Sequence, residues 1–220
     1  MTWDALFAPL DLYFERTTTA FWAEPFNALS NLSFVLAGIF ACVVARRERV
    51  TSREIQALIS LAILIGIGSF VFHTVPNKLT MWLDLLPIFA FQCYFLWLYV
   101  RRVMHWRTDA ALACVALFFG TNVAAVELGR PYWNGSASYL PAMLMLLLVA
   151  LHHARTARRG RWLLLAGVGL FVLSIVLRSV DMQGWLPMGT HFLWHTFNGV
   201  LIYLTLLAMI ERYQPNVATR

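Results

Sequence analysis

Residues 55–73 read IQALISLAILIGIGSFVFH and contain no Asp, Glu, Lys or Arg. About 20 consecutive apolar residues are enough for a helix to cross the hydrocarbon core of a bilayer. The run ends in GSFVFH, so Ser69 and His73 lie four residues apart, on one face of the helix near one membrane surface. This segment therefore predicts a membrane-spanning helix that carries polar side chains at one end.

Six similar apolar runs lie before and after this segment, each bounded by charged or turn residues. The seven predicted spans cover residues 26–45, 55–73, 80–100, 109–127, 137–153, 162–180 and 189–210. The composition excludes a freely soluble enzyme, because 60% of the residues are hydrophobic, 13% are charged and the mean hydropathy is +0.66. We predict an all-α integral membrane protein, a seven-transmembrane helix bundle forming a single domain over residues 1–220. Residues 1–25 form an N-terminal extracytoplasmic arm.

The basic residues are distributed unequally between the loops. Of the 17 Lys and Arg residues, thirteen follow predicted spans one, three, five and seven, whereas the arm and the remaining loops hold Arg16, Lys78 and Arg130. The side that is richer in Lys and Arg is usually cytoplasmic, so we predict an outside N-terminus and a cytoplasmic C-terminus. The net charge of +6 is then a topology signal, and no binding to nucleic acid is predicted. The three cysteines lie in apolar spans, which predicts no disulfide framework.

Ionisable side chains are few inside the predicted spans, where they are costly unless they face the bundle interior. Asp84 lies in the first turns of span three, and His191 and His195 lie four residues apart at the start of span seven. The predicted topology places these residues, with Ser69 and His73, at the outer ends of their helices. Three histidines at one depth suit an open zinc site with water as the fourth ligand. The alternative is a buried polar network that joins helices without a metal.

Other polar residues receive structural interpretations. His105, His152 and His153 lie in basic loops, which predicts solvated or headgroup-facing side chains. Arg178 and Asp181 lie three residues apart at the outer end of span six, a spacing that predicts a local ion pair. Alternatively, Arg178 contacts the polar head of a lipid that enters from the bilayer.

The polar residues resemble the signature of a known family. Ser-x₃-His ends the second span, an Asp follows that His by eleven residues, and His-x₃-His begins the last span, at Ser69, His73, Asp84, His191 and His195. This pattern resembles that of the alkaline ceramidase family, which belongs to the CREST superfamily of seven-span membrane hydrolases. Residues 23–31, AEPFNALSN, are also similar to the stretch that enters span one in that family.

The resemblance implies a zinc-dependent intramembrane hydrolase that cleaves ceramide into a sphingoid base and a free fatty acid. It makes His73, His191 and His195 the ligands of a Zn²⁺ ion that activates a water molecule. Asp84 is then the catalytic general base, and Ser69 donates to the developing oxyanion or supports the metal ligands. The implied partners are a ceramide-like lipid substrate and the bilayer, with no obligatory protein partner.

The resemblance also extends to a Ca²⁺ site outside the membrane. Asp11, Glu15 and Glu24 lie near the acidic positions of that site in the family, and Ca²⁺ prefers six to eight oxygen ligands. In the alternative interpretation, Asp11 and Glu15 are solvated charges and Glu24 caps the first span.

Two other functions remain open at this stage. One is a zinc-dependent hydrolase of another acyl lipid, either a phospholipid ester or a different N-acyl lipid. The other is a non-catalytic seven-span receptor or scaffold that contains structural zinc. A structural zinc site is normally closed by a fourth protein ligand, so the presence of Ser69 and Asp84 beside three histidines favours the hydrolase.

Overall fold

The computed structural model describes residues 3–213, and this part of the chain is helical with no β-strand. The α-helices are α1 (Trp3–Phe7), α2 (Pro25–Ser30), α3 (Leu32–Arg47), α4 (Arg53–Thr74), α5 (Lys78–Leu98), α6 (Thr108–Gly129), α7 (Leu140–Thr156), α8 (Leu163–Ser179) and α9 (His191–Tyr213). A π-helical turn at Tyr99–Val103 extends α5, and short 3₁₀ turns lie at Ser136–Tyr139 and Asp181–Gln183. The predicted all-α class is confirmed.

Six helical segments are long and apolar enough to cross a membrane. They are Pro25–Arg47, Arg53–Thr74, Lys78–Val103, Thr108–Gly129, Ser136–Thr156 and His191–Tyr213. The predicted span over residues 162–180 corresponds to α8, an apolar helix of 17 residues. Such a helix is about 25 Å long, near the lower limit for crossing the hydrocarbon core. Six helices thus agree with the predicted multi-pass architecture by their length and apolar composition, and the seventh crossing and the orientation of the termini stay predictions.

Helices α4 and α5 form an antiparallel pair whose close contact brings two predicted site residues together. A capping box between Asn77 and Thr80 begins α5 directly after α4 ends, so the connection is short. A Cβ atom at Gly68 would overlap the backbone carbonyl oxygen of Leu83. Because Ser69 and Asp84 are the residues that follow Gly68 and Leu83, this backbone contact places them side by side.

The last helix lies at the centre of the bundle. Helix α9 packs against α3, α4 and α8, and its buried positions recur along its whole length. Helix α6, in contrast, buries only three of its residues and lies at the periphery, where its leucines are exposed. Because α9 contacts three other helices, its first turns lie close to the ends of those helices. His191 and His195 lie in these first turns.

The structure corrects the interpretation of two histidines at the opposite end of the bundle. His152 and His153 do not lie in a loop, because α7 continues to Thr156. His153 is fully buried, and the Nδ1 atom of His152 forms a hydrogen bond with the hydroxyl group of Tyr99 at 3.0 Å. The basic residues counted towards the cytoplasmic side include Arg220, which lies outside the described residues.

Candidate metal centre

The ends of two helices bring His73, His191 and His195 together. His73 lies in the last turn of α4, and His191 and His195 lie in the first two turns of α9. One nitrogen atom from each ring can be chosen such that all three atoms lie within 4.8 Å of one another. The three side chains are buried. This cluster can therefore hold a metal ion, and it is the only such group of His, Cys, Asp or Glu found in residues 3–213.

The hydrogen bonds of the histidines leave nitrogen atoms free for a metal. The Nδ1 atom of His73 lies 2.6 Å from a carboxylate oxygen of Glu24, and the Nδ1 atom of His195 lies 2.8 Å from the hydroxyl group of Ser30. The Nε2 atom of His73 and the Nδ1 atom of His191 are buried without a hydrogen-bond partner. Metal-binding histidines use one ring nitrogen for the metal and the other for such a partner. The donor set of three imidazoles therefore fits Zn²⁺.

Asp84 and Ser69 line the same small cavity as His191 and His195. Asp84 is buried, and its Oδ1 atom has no hydrogen-bond partner among the described residues. An unpaired carboxylate oxygen is costly in an apolar bundle, so its presence beside the three histidines is typical of a binding site. The structure thus brings together all five polar residues singled out from the spacing of the sequence.

The N-terminal arm covers this cavity. The ring of Tyr13 stacks on the ring of His191, with centroids 3.8 Å apart and planes 20° apart, and it lies 5.0 Å from the ring of His73. Burial raises the pKa of the Tyr13 hydroxyl group above its usual range. The backbone N–H of Phe14 donates a hydrogen bond to Asp181 at 3.0 Å, which fixes the arm to the end of α8.

Asp181 caps the N-terminus of α9 and does not form an ion pair with Arg178, so the predicted local ion pair is wrong. Its Oδ1 atom accepts hydrogen bonds from the backbone N–H groups of Thr190 and His191 at 2.7 and 2.9 Å. A carboxylate at this position satisfies the free N–H groups of a helix N-terminus. Gly189 allows this contact, because its φ angle is +69° and a Cβ atom there would lie 2.5 Å from Asp181 Oδ1.

Arg178 instead extends away from Asp181 into the loop before α7 and along the wall of the cavity. Its guanidinium group donates to the carbonyl oxygen of Asn134 at 2.6 Å and to the hydroxyl group of Ser136 at 3.0 Å. It lies over the rings of Tyr139 and Trp194. Its Nε atom is buried without a partner in the described part of the chain. Arg178 is therefore a cationic group that faces the candidate site.

The acidic residues of the arm do not form a calcium ligand set. Both carboxylate oxygens of Glu24 are occupied, Oε1 by the guanidinium group of Arg16 and Oε2 by His73 and Asn27. Burial raises the pKa of Glu24, but the hydrogen bonds from His73, Asn27 and Arg16 outweigh burial and lower it below the usual range. Asp11 is exposed.

Glu15, and not Glu24, caps the first span. Its two carboxylate oxygens accept hydrogen bonds from the backbone N–H groups of Phe26 and Asn27 at 2.7 and 2.8 Å. Glu24 occupies the N-cap position of α2 without a capping hydrogen bond from its side chain. Burial raises the pKa of Glu15 despite these hydrogen bonds.

A second, apolar cavity adjoins the polar one. Phe34, Ile88, Tyr139 and Trp194 line both cavities and so form a shared wall. The rest of the second cavity is lined mainly by apolar side chains from α4, α5, α7, α8 and α9, among them Ile65, Phe91, Phe95, Leu146, Phe171 and Leu201. The candidate metal centre therefore lies at one end of an apolar space inside the bundle.

Sequence reasoning missed the partners of the histidines and the aromatic cover. The sequence predicts calcium binding or capping for Glu24 and assigns no role to Ser30, and Tyr13 lies in the part of the arm after α1, which has no regular secondary structure. The signal that could have identified Glu24 and Ser30 is the AEPFNALSN stretch, which contains both. Tyr13 has no such signal, because its position depends on how the arm folds back over α9.

Comparisons with known proteins show the family of this chain. A family model described as Ceramidase matches residues 16–216. Alkaline ceramidase 3 of Mus musculus is 34% identical to this chain over 79 residues. That alignment covers 36% of this chain and 29% of the mouse protein, so the match spans less than a third of that relative's length.

Proposed function

Because this chain belongs to the ceramidase family, we propose that it hydrolyses the amide bond of a ceramide-like lipid at a zinc centre formed by His73, His191 and His195. The observation that carries the proposal is the position of these three histidines and Asp84 where a polar cavity meets an apolar one. A lipid amide needs both environments, since its acyl chain is apolar and its reacting carbonyl is polar.

The three histidines would hold the metal through the nitrogen atoms that the protein leaves free. Zn²⁺ bound there would supply an activated water molecule and polarise the amide carbonyl. Glu24 and Ser30 would keep the rings of His73 and His195 in the orientation and tautomer that binding requires, through their contacts with the Nδ1 atoms.

Asp84 would move a proton during the reaction. In the proposed mechanism its carboxylate accepts a proton from the attacking water as the water oxygen bonds to the carbonyl carbon. The same proton then passes to the amide nitrogen as the C–N bond breaks, so a fatty acid and a sphingoid base are released. Ser69 lies in the same cavity and would donate a hydrogen bond to the oxygen that becomes negative.

The apolar cavity would bind the acyl chain of the substrate. Burying an acyl chain there removes its methylene groups from contact with other lipids without exposing them to water, so it orients the substrate at little cost. Trp194 and Tyr139 line both cavities and would flank the position where the chain meets its carbonyl group. The substrate would reach the site from the bilayer, on the extracytoplasmic side if the predicted orientation holds.

A second candidate function, hydrolysis of a phospholipid ester, is favoured by Arg178. This arginine lines the cavity and its Nε atom is buried without a partner among the described residues, and guanidinium groups bind phosphate strongly. In the ceramide proposal, Arg178 would instead contact a hydroxyl group of the sphingoid base. The two candidates use the same centre and differ in the group that Arg178 binds.

Fatty-acid release by the purified full-length protein tests both candidates. We expect release from liposomes that contain ceramide and none from matched liposomes in which phosphatidylcholine is the only acyl lipid. Folded, zinc-loaded protein that acts on phosphatidylcholine alone would favour the second candidate. Inactivity of the folded, zinc-loaded protein on both lipids would refute both proposals. It would favour the alternative of a non-catalytic receptor or scaffold with structural zinc.

A further inference from the structure

Arg16 is a buried charged residue in the arm, only 6% exposed. Its guanidinium group donates to Glu24 through Nε, to the backbone carbonyl oxygen of Thr18 at 3.0 Å, and to that of His73 at 2.9 Å. A buried guanidinium is costly unless it is paired and hydrogen-bonded, and here it is both. Arg16 thus joins the arm, the residue before α2 and the end of α4 at one point.

The oxygen atoms that surround Arg16 are of the types that Ca²⁺ binds, namely a carboxylate and two backbone carbonyls. These oxygen atoms cannot coordinate a Ca²⁺ ion while Arg16 is bound to them, because each already accepts a hydrogen bond from its guanidinium group. The two oxygens of Glu15 are equally occupied by the start of α2. The residues present therefore do not fit the calcium site that the family resemblance implied.

We propose that Arg16 supplies the positive charge at this position, and that it holds Glu24 against His73 so that the metal centre is organised without calcium. This inference rests on the proposed function, since it takes His73 to be a metal ligand. Arg16 is a positioning residue in this scheme, because it contacts neither the metal nor the substrate.

The connection from Arg16 to the centre passes through one carboxylate. Glu24 receives Arg16 on Oε1 and the Nδ1–H group of His73 on Oε2, so its plane is fixed from both sides. The tautomer with the proton on Nδ1 leaves Nε2 of His73 for the metal. Without Arg16, Glu24 would be a buried carboxylate with one oxygen unpaired, and it would no longer be held against His73 from both sides.

Calcium binding by the wild-type protein tests the first half of the inference. The measurement is equilibrium dialysis of the purified, calcium-depleted full-length chain against radioactive Ca²⁺ up to about 1 mM, which covers weak extracellular sites. We expect no saturable binding, and an equal melting temperature in Ca²⁺ and in Mg²⁺. Saturable binding of one Ca²⁺ ion per chain would overturn the inference without affecting the proposed hydrolysis.

Metal affinity of Arg16 variants tests the second half. We expect Arg16→Gln to weaken Zn²⁺ binding about 10- to 100-fold, as loss of hydrogen-bonding support for metal ligands typically does, and to change the visible spectrum of the Co²⁺-substituted protein. Arg16→Lys keeps the positive charge but cannot form all three hydrogen bonds with the same geometry. Its affinity for Zn²⁺ should therefore lie between those of the wild type and Arg16→Gln. The control is Arg130→Gln, which removes an exposed partner of Glu127 and should change neither quantity.

The outcomes separate this inference from the proposed function. Unchanged Zn²⁺ affinity and Co²⁺ spectrum in Arg16→Gln would refute the positioning role. If Arg16→Gln does not fold, Arg16→Lys and the wild-type dialysis decide instead. A wild type that takes up neither Zn²⁺ nor Co²⁺ would refute the proposed metal centre itself, and with it the positioning role of Arg16.

Discussion

Asp84 lies beside the histidine cluster with one carboxylate oxygen unpartnered. If this oxygen accepts the proton of the attacking water, Asp84→Asn should lower kcat by about 10²- to 10⁴-fold, the usual contribution of a general base. The variant should keep its zinc, because Asp84 is not one of the three ligands. Fatty-acid release and zinc content of the purified protein measure both quantities. Wild-type turnover in Asp84→Asn would end this assignment.

Replacement of His195 tests the proposed assignment of the metal ligands. His195→Ala should lose bound zinc, because two imidazoles bind the ion far less tightly than three. The matched control is His105→Asn, since His105 is exposed and has a φ angle of +58°, which Asn tolerates. Zinc per chain, measured by atomic absorption, should fall in the first variant and stay unchanged in the second. Full occupancy in His195→Ala would exclude His195 from the centre.

At this scale, the sequence identified residues whose positions depend on helical periodicity. His191 and His195 share a helix face at any point in a regular helix, and Ser69 and His73 do so for the same reason. The contacts of Glu24 and Arg16 were beyond such reasoning, because Glu24 precedes a helix and Arg16 lies in the irregular part of the arm after α1. Their contacts depend on a chain path that no local pattern specifies.

The contact between α4 and α5 provides a prediction at the level of elements. Gly68→Ala would place a methyl group against the carbonyl oxygen of Leu83, and we expect it to separate the helices and reduce stability by roughly 1–3 kcal/mol. Turnover should fall as well, since Ser69 and Asp84 would move apart. Thermal unfolding in detergent measures the first effect, and ceramide hydrolysis the second.

Gly120→Ala is the control for this experiment. A Cβ atom at Gly120 has no neighbour within 4 Å, and the residue is exposed in the middle of α6. The same substitution there should leave stability equal or slightly higher, because Ala favours helix over Gly. Equal stability of the two variants would show that the α4–α5 contact is not tight.

Every predicted span corresponds to a helix in the structure, but the predicted ends of the helices were less accurate. Long apolar runs identify helices because the bilayer requires about 20 such residues, and each predicted span has a helix in the structure. The sequence predicts a loop at His152 and His153 because both residues are polar. In the structure α7 continues past them to Thr156, and its last turns bury His153. The start of α9 depends on Asp181, ten residues before His191 and in another element, so no local capping pattern could identify its cap.

The whole molecule has one end with the candidate centre and another with most of the basic residues. Arg46 and Arg47 end α3, Arg155 lies in the last turn of α7 and Arg212 lies in that of α9. We predict that this basic end faces the cytoplasm. A tag fused to the C-terminus should therefore be accessible only after cells are permeabilised, while a tag at the N-terminus should be accessible in intact cells. The reverse labelling pattern would refute the predicted topology.

The cavity pair is a property of the whole bundle that sequence reasoning could not provide. Its walls combine residues from α3, α4, α5, α7, α8 and α9 that are far apart in the chain, such as Phe34, Phe91 and Phe171. Each of these residues is an ordinary apolar member of its own helix. Only the packing of the helices determines whether such side chains meet or leave a space between them.

The bidentate use of Asp181 has a kinetic consequence. One carboxylate oxygen accepts the amide of Phe14 in the arm, and the other accepts the first amides of α9, which carries two of the three histidines. Lifting of the arm would remove Tyr13 from the face of His191 and would open the Phe14 amide to exchange with solvent in the same event. The rate of deuterium uptake at the Phe14 amide should then equal the rates of metal entry and metal loss, because the opening of the arm would limit all three processes.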